Sequence, residues 1–375
     1  MVTALAAGRA RSDIDVLSRA GLPLPEFMAE SASALLAVVP YIAGCFSSTD
    51  PATSMIASTL KLGDLDGKNF ADVAWARIEY GGQPDPTRYD AIASAGQVAV
   101  GIHEATDGQV ERLERMADLV LPRFGYVDEA RVVFADRAGV WGSLSVLRGS
   151  DDAVFTAHEL AVLASVAPAL TRGIRTGLLT QLAHRPAVPA SGPAVIIIDA
   201  SDRVVQSSPG AQERLAQLAV PGADPLTYIQ ALVSGARRFA AGDFPRMPRI
   251  RTRTADGVWL VLHAAPLGGL GDRAGDVVVT IEEARPQEVI DIVAAAFALT
   301  LREREVVGAV LRGADTKEIA ASMHVSPYTV QDHLKSIFEK AGVTSRRELV
   351  ARVYFDQYLP RAGSDLGADG WFAGV

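Results

Sequence analysis

The sequence predicts a multidomain α+β protein that ends in a small all-helical block. Three observations predict it. The chain has 375 residues, 49% of them apolar, which is too long for one ordinary core and apolar enough to fill several. Two stretches of strand-like runs flanked by helical patterns are separated by a proline-rich connector. The last part carries four amphipathic helical patterns, each opened by capping chemistry.

The first block spans residues 20–182. Helical patterns bracket it at Glu26–Val39 and Thr156–Leu179, and strand-like runs lie between them at Ile42–Ser48, Met55–Leu62, Ala130–Phe134 and Gly142–Leu147. A connector at 183–193 is rich in proline and small residues. The second block, 194–285, opens on the β-branched run Ala194–Asp199 and a short strand Arg203–Gln206. It closes on Trp259–Ala264 and Asp276–Glu282. Pro286 starts a connecting helix over 286–298, with its pattern at Gln287–Phe297. The helical block runs from 299 to 361, and the Gly/Ala/Asp-rich tail 362–375 is expected to be flexible. No internal repeat is visible.

Composition excludes several classes. The single cysteine, Cys45, rules out an internal disulfide and any Cys-based zinc site, and it suits a reducing compartment. No run of 18 or more apolar residues occurs, so no membrane span is expected. Met1–Asp15 lacks the apolar core of a signal peptide, and a cytoplasmic location is expected. The formal charge of −8 argues against a polyanionic partner. Its distribution reverses that argument. Leu299–Arg361 carries 10 Lys+Arg against 8 Asp+Glu, while the rest of the chain carries 26 against 36.

The helical block has legible starts and stops. Thr300 and Glu303 form a capping box, Val306, Val307, Val310 and Leu311 give an apolar face, and Gly313 ends the helix. Asp315 and Glu318 make a second box ahead of Ile319, Ala320 and Met323. His324–Val325 is the turn. Ser326 caps a third helix with Pro327 at its first position, Val330, Leu334, Ile337 and Phe338 form its stripe, and Gly342 ends it. Ser345 and Glu348 make a last box. A short helix, a tight turn and a longer helix with a polar outer face is the helix-turn-helix pattern. That outer face is expected to present Tyr328, Gln331, Asp332, Lys335 and Ser336. By spacing alone, a plain helical bundle with a solvated face fits as well.

The residues Leu299-Thr300-x-Arg302-Glu303-x-Glu305-Val306, Gly313, Glu318-Ile319-Ala320, Val325-Ser326, Thr329-Val330-x-x-His333-Leu334-x-x-Ile337, Lys340-x-Gly342-Val343 and Arg347-Glu348-Leu349 resemble the LuxR-type helix-turn-helix family. The resemblance implies a four-helix domain for double-stranded DNA. Its third helix enters the major groove and its fourth helps a homodimer form. By position it implies base reading by Gln331, Asp332 and Lys335, and phosphate contacts from Ser326, Thr329, His333, Lys340 and Arg346 or Arg347. The chain departs from the family after the Thr-Val pair, where a basic residue is common and Gln331-Asp332 stands here.

The first block resembles a GAF domain through Trp141-Gly142, Leu147 and the Asp152-x-x-Phe155-Thr156-x-x-Glu159-Leu160 helix start. The second resembles a PAS domain through AVIIIDASDRVVQSSPGAQERL at Ala194–Leu215. Both resemblances imply antiparallel-sheet sensor domains. A small ligand in the GAF-like block is implied as possible, without naming the ligand or its contacts.

Signals for chemistry fail one by one, so no catalytic residue, cofactor or metal is expected. Gly269-x-Gly271-x-x-Ala274 lies between strands rather than ahead of a helix and reads as a hairpin loop. His103-Glu104 lacks a second histidine at i+4, and Asp64, Asp66 and Gly67 lack the later acid of a calcium loop. Cys45 sits in an apolar run and reads as core. Trp75, Arg77 and Tyr80 read as core or pocket wall. Asp13 and Asp15 precede no receiver fold. The expectation is a DNA-binding transcriptional regulator controlled by a small ligand or partner. A DNA-inactive partner-titrating protein and an enzyme hidden in the first block stay open.

Overall fold

The computed structural model describes residues 4–180, 193–218, 224–254, 257–268 and 273–355. The connector 183–193 (Pro193 apart), the loop glycines at 269 and 271, and the tail 362–375 lie outside the described residues.

In chain order the elements are α1 (Ala4–Leu17), α2 (Leu24–Leu36), β1 (Ala43–Asp50), β2 (Met55–Gly63), α3 (Asp72–Gly81), α4 (Tyr89–Ser94), β3 (Ala99–Gly101), α5 (Ile102–Ala105), α6 (Leu121–Phe124), β4 (Tyr126–Asp136), β5 (Gly139–Gly149) and α7 (Ala157–Leu179). The second half adds β6 (Ala194–Ile198), β7 (Val204–Ser207), α8 (Ala211–Leu218), α9 (Leu226–Ala240), β8 (Arg249–Arg253), β9 (Trp259–Pro266) and β10 (Val277–Glu283). The helical end is α10 (Pro286–Ala296), α11 (Leu301–Leu311), α12 (Thr316–Met323), α13 (Pro327–Ala341) and α14 (Arg346–Val350).

These elements divide into two compact units. The first takes in the chain up to Thr180 with Ser191–Thr254 and Leu260–Glu283; the second holds Ala284 onward with two short upstream pieces. The first unit contains two five-stranded antiparallel sheets, ordered β2-β1-β5-β4-β3 and β7-β6-β10-β9-β8. Counted in chain order within each sheet, both read 2-1-5-4-3. A topological repeat is therefore present that the sequence does not display.

The first sheet has two unlike faces because side chains alternate along a strand. One face is apolar: Phe46, Val132, Phe134, Leu144 and Val146 are buried, and α7 packs on β4 and β5 with α1 and α2 beside it. Phe46 and Phe134 meet at 5.3 Å between ring centroids. α7 opens on the predicted box, with Thr156 accepting from the Glu159 amide and Glu159 accepting from the Thr156 amide. The opposite face carries Cys45, Ser47, Thr59, Lys61, Glu129 and Ser145.

Some elements fall outside what the sequence pattern names. Ala4–Leu17 is helical, and Ala7, Ala10 and Ile14 are buried as α1 packs on α7. The PAS-like pattern ends in a helix by Leu215, where α8 lies, but no element is predicted between Leu215 and Trp259, and α9 and β8 lie there. β8 reads Arg-Ile-Arg-Thr-Arg, too charged to look like a strand. It is buried because its charges are paired: Asp50 of β1 accepts from Arg251 Nη2 at 2.6 Å and from Arg251 Nε at 2.8 Å. Thr53 donates to the Arg249 carbonyl and Thr252 to the Ala57 carbonyl, both at 2.6 Å. The two sheets are thus fastened together by buried polar bonds.

Candidate nucleic-acid interface and a cavity on the first sheet

The second unit builds its helix-turn-helix from caps. Asp315 accepts from the amides of Lys317 and Glu318, and Glu318 returns to the Asp315 amide. His324 then adopts φ +55°, the left-handed conformation that stops α12 and turns the chain. Ser326 accepts from the Thr329 amide, and Pro327 opens α13. The last cap differs from expectation: Ser345 takes the Glu348 amide, but the Glu348 carboxylate goes to Thr344 instead of completing the box.

On α13, Val330, Leu334 and Ile337 are buried, while Gln331, Asp332 and Lys335 are exposed together with Tyr328, which is 80% exposed. Gln331 and Asp332 lie three and four residues after Tyr328 and four and three before Lys335, so the four share a face. Asp332 and Lys335 form no ion pair with each other or with any described residue. Ser336 departs from the predicted outer face. It is half-buried and donates to Glu303 Oε1 at 2.7 Å.

The residues expected at phosphate separate into two groups. Thr329 near the start of α13 and His333 in its middle are half-buried, while Ser326 at its N-cap and Arg347 at the start of α14 are exposed. Lys340 and Arg346 are tied inside the domain. Lys340 Nζ reaches both Glu303 oxygens at 2.7 and 2.6 Å. Arg346 donates to the Ala314 carbonyl and to Thr316 Oγ1, pinning α14 to the start of α12. Glu303 is 4% exposed. Burial alone would raise its pKa, but hydrogen bonds from Lys340, the Thr300 amide, Ser336 and the Thr300 hydroxyl outweigh it and hold the carboxyl at about 2.

Residues 298–353 match the family model of bacterial regulatory proteins, luxR family. This segment is a LuxR-type helix-turn-helix domain. The chain is 48% identical over 56 residues to the monoamine regulon transcriptional regulator of Klebsiella aerogenes, covering 15% of this chain and 25% of that protein. It is 32% identical over 138 residues to the probable transcriptional regulatory protein NarL of Mycobacterium tuberculosis, covering 36% and 57%. The transcriptional regulatory protein UhpA of Escherichia coli is 29% identical over 130 residues, covering 35% and 56%. The chain thus spans between a quarter and just over half the length of these relatives. Among solved structures, the complex of phage VqmA with DPO aligns over 43% of this chain and 79% of that one, at 18% identity and a TM-score of 0.22, too low to carry an argument.

The LuxR-type domain holds the exposed polar helix; the first unit holds a cavity of about 90 Å³ on the polar face of the first sheet. Its floor is β1, β2, β4 and β5, its walls include Trp75 of α3 and Phe124 of α6, and Thr227 and Tyr228 of α9 close it from the second half. Sequence reasoning reads Trp75 as core or pocket wall and names no ligand contacts. The signal was present in Glu129 and Arg131, an opposite-charge pair at i,i+2 in a largely buried strand, which puts both on one buried face.

Cys45 also lines this cavity, and burial pushes its thiol up to about 11, so it carries no thiolate at neutral pH. Lys61 is fully engaged, donating to the Lys68 carbonyl, Asn69 Oδ1 and Asp72 Oδ1. No helix among the described residues is long and apolar enough to cross a membrane.

Proposed function

We propose that this chain is a sequence-specific, DNA-binding transcriptional regulator without enzymatic activity. It works in the cytoplasm, and a small molecule or partner sensed by the first unit controls its DNA occupancy. The observation that carries the reading is the exposed Tyr328, Gln331, Asp332 and Lys335 face on α13, the capped third helix of a LuxR-type domain. A helix of this kind fits the major groove, where Lys and Gln side chains meet base edges. The first and second sheets are read as GAF-like and PAS-like sensor modules, with the strand order they share as support. Phosphate contacts fall to Ser326, Thr329, His333 and Arg347, because Lys340 and Arg346 already have partners.

The test is capture of genomic DNA by the purified protein, followed by titration of the recovered site and a scrambled duplex at several salt concentrations. Cognate binding that weakens as salt rises supports the reading; no preference for any captured site removes it. Lys335→Ala is expected to weaken the cognate site by about 1–3 kcal/mol, the range of one base contact, with folding unchanged. Equal affinity at fixed salt would remove Lys335 from the groove.

Asp332 brings a carboxylate, ion-paired with none of the described residues, to the same face. Against a polyanion it repels every sequence, except where a cytosine amino group can donate to it. Asp332→Asn is therefore expected to tighten binding to random DNA while narrowing the gap between cognate and random sites. A variant that binds random duplex no better than the parent would place Asp332 outside the groove.

One such domain reaches one half-site, so the DNA-bound form is proposed to be a homodimer. Helix α10 is a poorer interface element than its apolar sequence suggests, because Val289, Ile292 and Val293 are already buried within one chain. Light scattering of the protein–DNA complex is expected to give two chains per duplex. One chain per duplex would end the dimer reading.

A further inference from the structure

The cavity on the first sheet contains polar atoms that the protein leaves unused. Arg115 is 1% exposed and lines the cavity, yet its Nε and Nη1 have no hydrogen-bond partner among the described residues. Glu129 and Thr227 line the same cavity, and Glu129 Oε2 and Thr227 Oγ1 are likewise without one. Glu129 Oε2 is 3.2 Å from Arg115 Nη2, an ion pair without hydrogen-bond alignment. Buried donors and acceptors are nearly always satisfied, and leaving one unmade is costly. Two orphaned donor atoms, an orphaned acceptor and an orphaned hydroxyl around one hollow mark a place where a bound molecule completes the bonding.

We propose that this cavity binds a small, flat molecule of zero net charge that sets a carbonyl-type acceptor against Arg115 and an adjacent N–H donor against Glu129, as a cyclic amide does. The inference rests on the sensing role proposed for the first unit and supplies its ligand class.

Charge decides against the other classes. Arg115 faces Glu129 and, at 3.9 Å, Asp85. Arg131 pairs with Glu79 at 2.8 Å and approaches Glu129 at 3.4 Å, and Lys61 pairs with Asp72 at 2.6 Å. Three cations thus stand against four carboxylates. An anionic ligand would add negative charge to a buried site that has no surplus cation to meet it. A cationic ligand offers no acceptor to Arg115. A hydrocarbon leaves every orphaned atom unpaired. A neutral molecule with neighbouring acceptor and donor satisfies both sides, and the rings of Trp75, Phe124 and Tyr228 supply flat apolar walls.

The position of the site gives the occupant something to act on. Thr227 and Tyr228 belong to α9, which packs on α3 from the second half of the unit. A molecule held between the first sheet and α9 bears on both halves of the sensor at once.

The experiment titrates the full chain with four probes of similar size: 2-pyridone, benzoate, benzamidinium and toluene, followed by ligand-observed NMR and calorimetry. 2-Pyridone is expected to bind about tenfold or more tightly than each of the others, the value of one well-made buried hydrogen bond. Thr227→Val keeps shape and removes only the unpartnered hydroxyl; Arg115→Lys keeps the charge and removes the fork. Both are expected to weaken 2-pyridone severalfold. If Arg115→Lys fails to fold, Thr227→Val alone decides. Benzoate binding as tightly as 2-pyridone, toluene binding as tightly, no binding of 2-pyridone, or binding untouched by Thr227→Val would each overturn the proposal. The regulator reading is judged separately by DNA titration. DNA binding without 2-pyridone binding defeats the ligand class alone, whereas 2-pyridone binding that leaves DNA occupancy unmoved defeats the sensing role alone.

Discussion

Asp50→Ala is expected to destabilise the first unit by about 3–5 kcal/mol, the cost of removing one partner from a buried ion pair. Asp50 is fully buried and Arg251 is 3% exposed. The carboxylate accepts from Arg251 Nε, Nη2 and the backbone amide, and from the Ala52 amide. Truncation leaves a guanidinium facing a low-dielectric seam with its main counter-charge gone. Asp50→Asn keeps one acceptor and should fall between the parent and Ala. Urea denaturation followed by hydrogen exchange of β1 and β8 measures it. A loss below about 1 kcal/mol, the range of an exposed pair, would mean that water reaches the seam.

Glu303→Ala is expected to cost the LuxR-type domain about 3 kcal/mol or somewhat less. A carboxyl held at about 2 against an ordinary value of 4.5 corresponds to about that much coupling, reduced because the Lys340 side chain is partly solvated. The sign of the pH dependence follows. The folded pKa lies below the unfolded one, so this stabilisation is complete above about 4.5 and is lost as pH falls towards 2. The variant should therefore show a flatter acid limb in its denaturation profile than the parent. An unchanged acid limb would assign the coupling elsewhere. Lys340→Ala separates bracing from phosphate contact. As a brace, Lys340 sets domain stability and leaves the salt dependence of DNA binding alone; as a phosphate contact, it lowers that dependence by about one counterion.

The helical domain was legible because its signals are local. Thr300–Glu303, Asp315–Glu318 and Ser326–Pro327 each act within one turn, so a reading of neighbours finds them. Thr156–Glu159 exposes α7 for the same reason. What the sequence hides is long-range pairing. β8 looks like a charged loop until Asp50, some two hundred residues earlier, neutralises Arg251. Ser336 looks like a member of an outward polar face, and Lys340 like a phosphate contact, until Glu303 collects them. The cavity is hidden most thoroughly. Its floor and walls draw on β1, β2, β4, β5, α3, α4, α6 and the turn before α6, and its closing residues come from α9, so no window of sequence contains it. Only the strand pair Glu129 and Arg131 announced a buried polar face.

The Asp50–Arg251 seam also limits how such a protein can be taken apart. The two halves of the first unit repeat one strand order and look interchangeable, as beads on a string would be. Yet each half buries a charge whose partner lies on the other, and α9 of one half roofs the hollow of the other. A chimera that swaps in a foreign front sheet, or a fragment ending near Thr180, strands Asp50 without its guanidinium. Recombination that respects the sheet boundaries would still break the molecule; the heritable piece is the pair of sheets together, and the seam within it can change only by matched substitutions on both sides.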